Sequence, residues 1–184
     1  MLTYRIKVAG LERDLPVCPL NDKLSIAGLV IFGDVELTEA CARELNAKLP
    51  EHDIMITAES KGIPLVHEMA RLQGRNEYVL ARKGLKLYMV DPVGVEVKSI
   101  TTEKVQKLYI GKNDVELMKG RRVVIVDDVI STGESLLALE ALVNKAGGNI
   151  VGRAAILAEG DAVKRDDIIY LAELPLLTPD GKPI

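Results

Sequence analysis

The stretch VVIVDDVISTGES, Val123 to Ser135, constrains this chain more than any other. Val123-Val124-Ile125-Val126 shows no alternation of apolar and polar residues, as a strand covered on both faces requires. Two adjacent carboxylates, Asp127 and Asp128, end that strand. A short loop, Ser131-Thr132-Gly133, leads into a helical pattern from Glu134 to Ala146, closed by Gly147-Gly148. The apolar side of that helix is expected to carry Leu136, Leu137, Leu139, Leu142 and Val143. A helix start offers unpaired N–H groups and a partial positive charge, which seat a phosphate. Gly133 lets the backbone approach such an anion, and Thr132 and Ser135 add hydroxyls. The carboxylates are acceptors for sugar hydroxyls. Together they describe a pocket for a phosphorylated sugar; the plainer alternative is a capped helix after a strand ended by aspartates. GxxxxGK[ST] and GxGxxG are both absent, which disfavours triphosphatase and dinucleotide readings.

The rest of the chain alternates strand and helix. Tyr4–Val8 reads as an edge strand. Leu37, Cys41, Leu45 and Leu49 recur every four positions and predict a helix over Glu36–Leu49, stopped by Pro50. Ile54–Ile56 is a short strand, followed by a polar loop (Glu59–Gly62) and a helix from Pro64 to Leu72. Strands are expected at Glu77–Arg82, Ile150–Leu157 and Ile168–Leu171, and Gly94–Tyr109 reads as a hairpin or a flap. This order implies an α/β fold with a mostly parallel sheet, whose sites lie beyond the carboxyl ends of its strands. With 184 residues and neither repeat nor linker, a single domain is expected.

Composition excludes several classes. A net charge of −3 and 3% aromatics argue against a nucleic-acid partner. No apolar run reaches the roughly 18 residues of a membrane span. The opening MLTYRIKVAGLERDLP has no apolar signal core, so a cytoplasmic protein with two buried, reduced cysteines, Cys18 and Cys41, is expected. His52 and His67 read as structural or exposed, and His67-Glu68 lacks the second His of a zinc helix.

At Val123–Ser135 the sequence resembles the type I phosphoribosyltransferases, and the likeness runs over roughly residues 20 to 175. It implies that family's fold, a mostly parallel twisted sheet flanked by helices, with a small N-terminal hood (about residues 1–35), a core (about 36–175) and a flexible flap. It implies that Asp127 and Asp128 hold the ribose of phosphoribosyl pyrophosphate. Ser131, Thr132, Gly133, Glu134 (through its backbone) and Ser135 would hold the 5′-phosphate. TAESKGIP, Thr57 to Pro64, stands where the family has its pyrophosphate loop and looks most like the adenine, xanthine and archaeal hypoxanthine/guanine branches. There Ser60, Lys61 and Gly62 would bind diphosphate, in a loop the family often strains with a cis bond; a plain surface turn is the alternative. LARKGLKL matches the family's strand ending in Arg-Lys, so Arg82, Lys83 and Lys86 would face pyrophosphate, although alone they would read as a solvated edge. SITTEKVQKLYI looks like the adenine-branch flap, with Glu103 as its catalytic acid across a one-residue gap, and with Lys104 and Lys107 in reach on closure. PLND resembles the xanthine-branch hood, giving Leu20 and Asn21 to the base, against Asn21 as a turn former.

The resemblance implies a purine phosphoribosyltransferase of nucleotide salvage. It would use Mg²⁺, held mainly by substrate and water rather than by protein ligands, and it would be a homodimer. Gly160 stands where 6-oxopurine enzymes place a Lys or Arg, which favours adenine, whereas PLND and TAESKGIP lean toward oxopurines. Rival readings are a hypoxanthine/guanine/xanthine enzyme, an enzyme for a pyrimidine or unusual base, and a non-enzymatic sensor of phosphoribosyl pyrophosphate.

Overall fold

In the computed structural model, which describes residues 2–98 and 105–184, the Val123–Val126 run lies inside a nine-residue strand at the centre of a parallel sheet. In chain order the elements are β1 (Thr3–Val8), β2 (Leu11–Pro19), β3 (Ser25–Ala27), α1 (Val35–Lys48), β4 (Ile54–Ala58), α2 (Gly62–Leu72) and β5 (Val79–Ala81). There follow β6 (Val93–Lys98), β7 (Val105–Ile110), α3 (Lys112–Met118), β8 (Arg122–Ile130), α4 (Glu134–Ala146), β9 (Asn149–Glu159), a 3₁₀ turn (Gly160–Lys164) and β10 (Ile169–Leu174). The main sheet runs β10-β9-β8-β4-β5, with every neighbouring pair parallel.

Why β8 lacks alternation is visible in its packing. Val124 and Val126 face one apolar layer with Leu37 and Cys41 of α1 and Leu65, Val66 and Met69 of α2. Val123 and Ile125 face the opposite layer with Leu139, Leu142 and Val143 of α4. Both faces are covered, so every position is apolar until the strand emerges at its carboxyl end. The first three strands form a separate antiparallel sheet, and Ile6, Val8, Leu15 and Ala27 continue the α1/α2 side of the core. Arg13 fastens this N-terminal sheet to the start of α1, reaching Asp34 at 2.7 Å and Glu36 at 2.8 Å.

Several expectations shift. Cys41 is buried, but Cys18 is exposed, because it lies on β2 of the N-terminal sheet rather than in the core. Leu137 is likewise exposed: the apolar face of α4 is narrower than its composition suggests. The β5 strand spans three residues rather than six, since among the described strands it pairs only with β4, and Arg82 then bridges to Tyr109. In the described parts of Gly94–Tyr109, β6 and β7 pair antiparallel. The sequence does not mark β2, which Pro16 and Pro19 interrupt, or the short β3 and α3. Among the described residues no helix is long and apolar enough to cross a membrane.

Candidate functional site

Toward the carboxyl edge of the sheet, β8 carries Asp127 and Asp128 between two helix starts; the strand runs on to Ile130 rather than ending at the acids, because Val129 and Ile130 still pair with Leu157 and Ala158 of β9. On one side the chain turns through Ser131-Thr132-Gly133 into α4. Gly133 adopts φ +79°, a left-handed conformation that other residues enter at a cost of roughly 1–2 kcal/mol, and its carbonyl accepts the first helical bond from Leu137 N at 2.8 Å. Asp127, Val129, Ile130 and residues 131–136 line a cavity of about 110 Å³ at that helix start. On the other side β4 ends at Glu59-Ser60-Lys61 and α2 begins at Gly62, packed so closely that a Cβ there would lie 3.3 Å from Asp127 Oδ1. Two N–H-rich, electropositive helix ends therefore flank one pair of acids.

The acids differ in their surroundings. Asp127 is half-buried; its Oδ1 accepts from Asp128 N at 2.9 Å and from Ser60 Oγ at 3.5 Å. Asp128 is buried, and Lys61 Nζ lies 2.9 Å from its Oδ2, off the line a directed hydrogen bond needs, so charge rather than geometry holds the pair. Lys61 also donates to the Leu29 carbonyl at 2.6 Å. Burial, and then the neighbouring Asp128 charge, push the Asp127 carboxyl up to about 7, a rise that belongs to the two acids as a unit.

That rise has a measurable consequence for stability. Between about pH 4 and pH 7 the folded protein keeps a proton on the acid pair that the unfolded chain has released. Stability therefore falls as pH rises through this window, by at most about 1.4 kcal/mol per pH unit for one proton. The lowered carboxylates Asp34, Asp53 and Glu68 contribute with the opposite sign, but near and below their ordinary range. Asp127→Asn should flatten the melting temperature between pH 5 and 7 relative to wild type; an unchanged difference between the two pH values would refute the assignment.

Arg82 and Lys86 converge with their side chains on one acid, Glu59, at 3.1 and 3.3 Å, and the Lys83 backbone N–H donates to its other oxygen at 3.0 Å. The Arg82 guanidinium also lies 5.8 Å from the Tyr88 ring centroid. Leu20 and Asn21 sit at the β2–β3 turn, where Leu20 is exposed and Asn21 Oδ1 accepts from Lys23 N at 2.9 Å. Asn21 therefore does form a turn. Lys107 pairs with Glu96 at 2.7 Å across the β6–β7 hairpin, while Glu103 and Lys104 lie outside the described residues. All described peptide bonds are trans, including those of the Glu59–Gly62 loop. His52 is buried, with ring nitrogens 2.8 Å from Pro50 O and 3.1 Å from Gln73 Oε1, and His67 is exposed.

Sequence reasoning passed over three groups. Glu59 reads in the sequence only as part of a loop, yet it gathers the basic residues. The Leu29 carbonyl, a backbone atom, gave no signal. Glu159 ends β9 beside the site; it is buried, accepts a hydrogen bond from Ser131, and burial raises its pKa. A lone acid closing the apolar run Ile156-Leu157-Ala158 was the available clue. Among the described residues no group of three or more His, Cys, Asp or Glu side chains is placed to hold a metal.

This architecture matches known proteins over most of its length. A family model, described as a phosphoribosyl transferase domain, matches residues 35–172. A hypoxanthine/guanine phosphoribosyltransferase of Methanococcus voltae is 34% identical over 134 residues, covering 73% of this chain and 67% of that protein. A xanthine phosphoribosyltransferase of Exiguobacterium is 29% identical over 139 residues, 74% of this chain and 70% of its own. The crystal structure of an adenine phosphoribosyltransferase from Thermoanaerobacter pseudethanolicus superposes with a TM-score of 0.69 at 22% identity, covering 86% of this chain and 95% of that one. The matched segment contains the whole main sheet but the end of β10, both helix starts and the acid pair, and by that match the chain belongs to the phosphoribosyl transferase domain family.

Proposed function

We propose that the protein transfers the 5-phosphoribosyl group from phosphoribosyl pyrophosphate to a purine base, adenine by preference, releasing pyrophosphate and a nucleoside monophosphate. One observation carries this reading: the acid pair lies between two helix starts, one of them enclosing a phosphate-sized cavity. Phosphoribosyl pyrophosphate has the same order of groups, a monophosphate, a diol and a diphosphate.

In this reading the α4 start and Ser131–Ser135 seat the 5′-phosphate, and Asp127 and Asp128 accept from the ribose hydroxyls. Ser60, Lys61 and the Gly62 amide face the diphosphate, with Arg82, Lys83 and Lys86 beside them around Glu59. Leu20 and Asn21 belong to the hood over the base, and Glu103 is the flap acid. The chain's tasks are positioning and charge neutralisation as the C1′–O bond to pyrophosphate breaks and a base nitrogen bonds to C1′. Mg²⁺ fits these surroundings: among the described residues the buried Asp128 Oδ2 has no directed hydrogen bond, and its neighbour Asp127 offers a second carboxylate. Both acids would hold the cation through water and the sugar, and it would supply neutralisation of the diphosphate charge.

For the base, Gly160 brings no side-chain donor, and Leu176 packs 3.4 Å from where a Cβ would stand. A 6-oxo group would thus lack a cationic partner at that position, which supports adenine. A cleft of about 610 Å³ beside Gly160, walled by Leu24 and Leu176 among others, supplies room. The names of the two relatives, hypoxanthine/guanine and xanthine enzymes, support the second reading, a 6-oxopurine substrate. Exposed Leu85, Leu87, Tyr88 and Val90, next to Arg82, support a homodimer through this segment.

The test is to supply Mg²⁺, phosphoribosyl pyrophosphate and a panel of bases, and to follow pyrophosphate release. Adenine should give the highest kcat/KM, at least about tenfold above hypoxanthine, guanine or xanthine, a difference of about 1.4 kcal/mol. Turnover confined to a 6-oxopurine overturns the base assignment. Tight binding without turnover for any base overturns the enzyme reading in favour of a sensor.

A further inference from the structure

Lys61 belongs to the loop expected to face diphosphate, yet its ammonium is turned inward. It lies 2.9 Å from Asp128 Oδ2 and donates to the Leu29 carbonyl at 2.6 Å. These two partners belong to different parts of the fold. Asp128 is the buried acid near the carboxyl end of β8, whereas Leu29 is buried in the segment that joins the N-terminal sheet to α1. A single side chain, itself part-exposed, thus ties the start of α2, the acid pair and the hood together.

We propose that Lys61 is an exchangeable counter-ion that latches the hood to the acid pair and is released when a sugar takes Asp128. The inference rests on the reading above, that the acid pair holds ribose. Asp128 Oδ2 is fully enclosed, with the ammonium against it. A sugar hydroxyl and Lys61 cannot both occupy that face, and a buried carboxylate is costly to leave without either. The exchange leaves Asp128 partnered by the sugar and frees the ammonium for the incoming diphosphate. It also removes the donor from the Leu29 carbonyl, so occupancy of the sugar site loosens the hood that the base must pass.

The full chain can be tested by amide hydrogen exchange with ribose 5-phosphate, which carries the diol and the monophosphate but no diphosphate. In wild type, adding the sugar phosphate should slow exchange at residues 131–136 and speed it several-fold at residues 28–34. Lys61→Met should show fast exchange at 28–34 without ligand and no further change on binding, and Lys61→Arg should restore the latched pattern. Slowing at 131–136 with residues 28–34 unchanged or slower overturns the latch and leaves the site reading standing. So does a Lys61→Met protein whose hood exchanges as slowly as wild type. No slowing at 131–136 in wild type overturns the sugar-site reading itself. The wild-type comparison needs no variant, so a misfolded Lys61→Met does not blunt the test.

Discussion

Replacing both acids by amides, Asp127→Asn with Asp128→Asn, should lower turnover at least about 100-fold while the protein stays folded. Hydrogen bonds from hydroxyls to a carboxylate contribute roughly 1.5–3 kcal/mol each, and tenfold in rate corresponds to about 1.4 kcal/mol. Loss of two such acceptors therefore costs two to four decades if both bonds tighten in the transition state. An amide keeps one oxygen but presents an NH₂ where the second acceptor was. The fold should survive because the contacts of both acids join loops at the carboxyl edge of the sheet and leave its two apolar layers untouched. Asp127 is destabilised by its own burial, so its amide relieves a cost, and Asp128 keeps an oxygen for Lys61. Steady-state pyrophosphate release and thermal melting at pH 8 decide the matter. Turnover near wild type would remove the acids from the mechanism, and a collapse in melting temperature would make them structural. A drop in kcat with unchanged ribose 5-phosphate affinity would say that they act on the transition state rather than on binding.

Much of the arrangement around these acids was legible because it is local in sequence. β8, its loop and α4 are consecutive, so the uninterrupted Val123–Val126 run, the acids and the helix periodicity of 134–146 reported one neighbourhood. A strand buried on both faces has no polar side to disguise it. The N-terminal sheet was less legible for the opposite reason. The prolines at 16 and 19 fall within β2, and its exposed face mixes Glu12, Asp14 and Cys18, so neither period dominates. Cys18 was misplaced because cysteine's preference for the interior is an average, overridden where a strand has one dry face only.

The interplay of charges was not legible. Arg82, Lys83 and Lys86 read as a positive rim awaiting an anion, but two of their side chains and one backbone N–H already share Glu59, 23 or more residues away in the chain. A spacing argument cannot show which acid a long flexible side chain will find. The same holds for Lys61, whose partners are a carboxylate 67 residues downstream and a main-chain carbonyl 32 residues upstream.

The junction of β4 and α2 carries the second large effect: Gly62→Ala should reduce turnover by at least about tenfold. A Cβ at this position would lie 2.6 Å from Thr57 Oγ1, closer than atoms tolerate, as well as 3.3 Å from Asp127 Oδ1. Thr57 is fully buried, so its hydroxyl cannot swing into solvent. The start of α2 must move instead, carrying Ser60 and Lys61 away from the acids. Helix propensity works the other way, since alanine is better than glycine by about 1 kcal/mol in a helix interior, but overpacking costs roughly 1–3 kcal/mol. The larger harm is to geometry, because a displacement on the order of 1 Å can cost up to about 100-fold in rate. Among the described residues Thr57 Oγ1 has no hydrogen-bond partner, so Thr57→Ala deletes the colliding atom without breaking a bond to them. Thr57→Ala alone should leave turnover within a few-fold of wild type, and combined with Gly62→Ala it should recover most of the lost activity. Thr57→Val, which keeps a methyl where the hydroxyl stood, should not. Full activity of Gly62→Ala, or equal rescue by alanine and valine at position 57, would show that close packing of this loop on the acids does not set the rate.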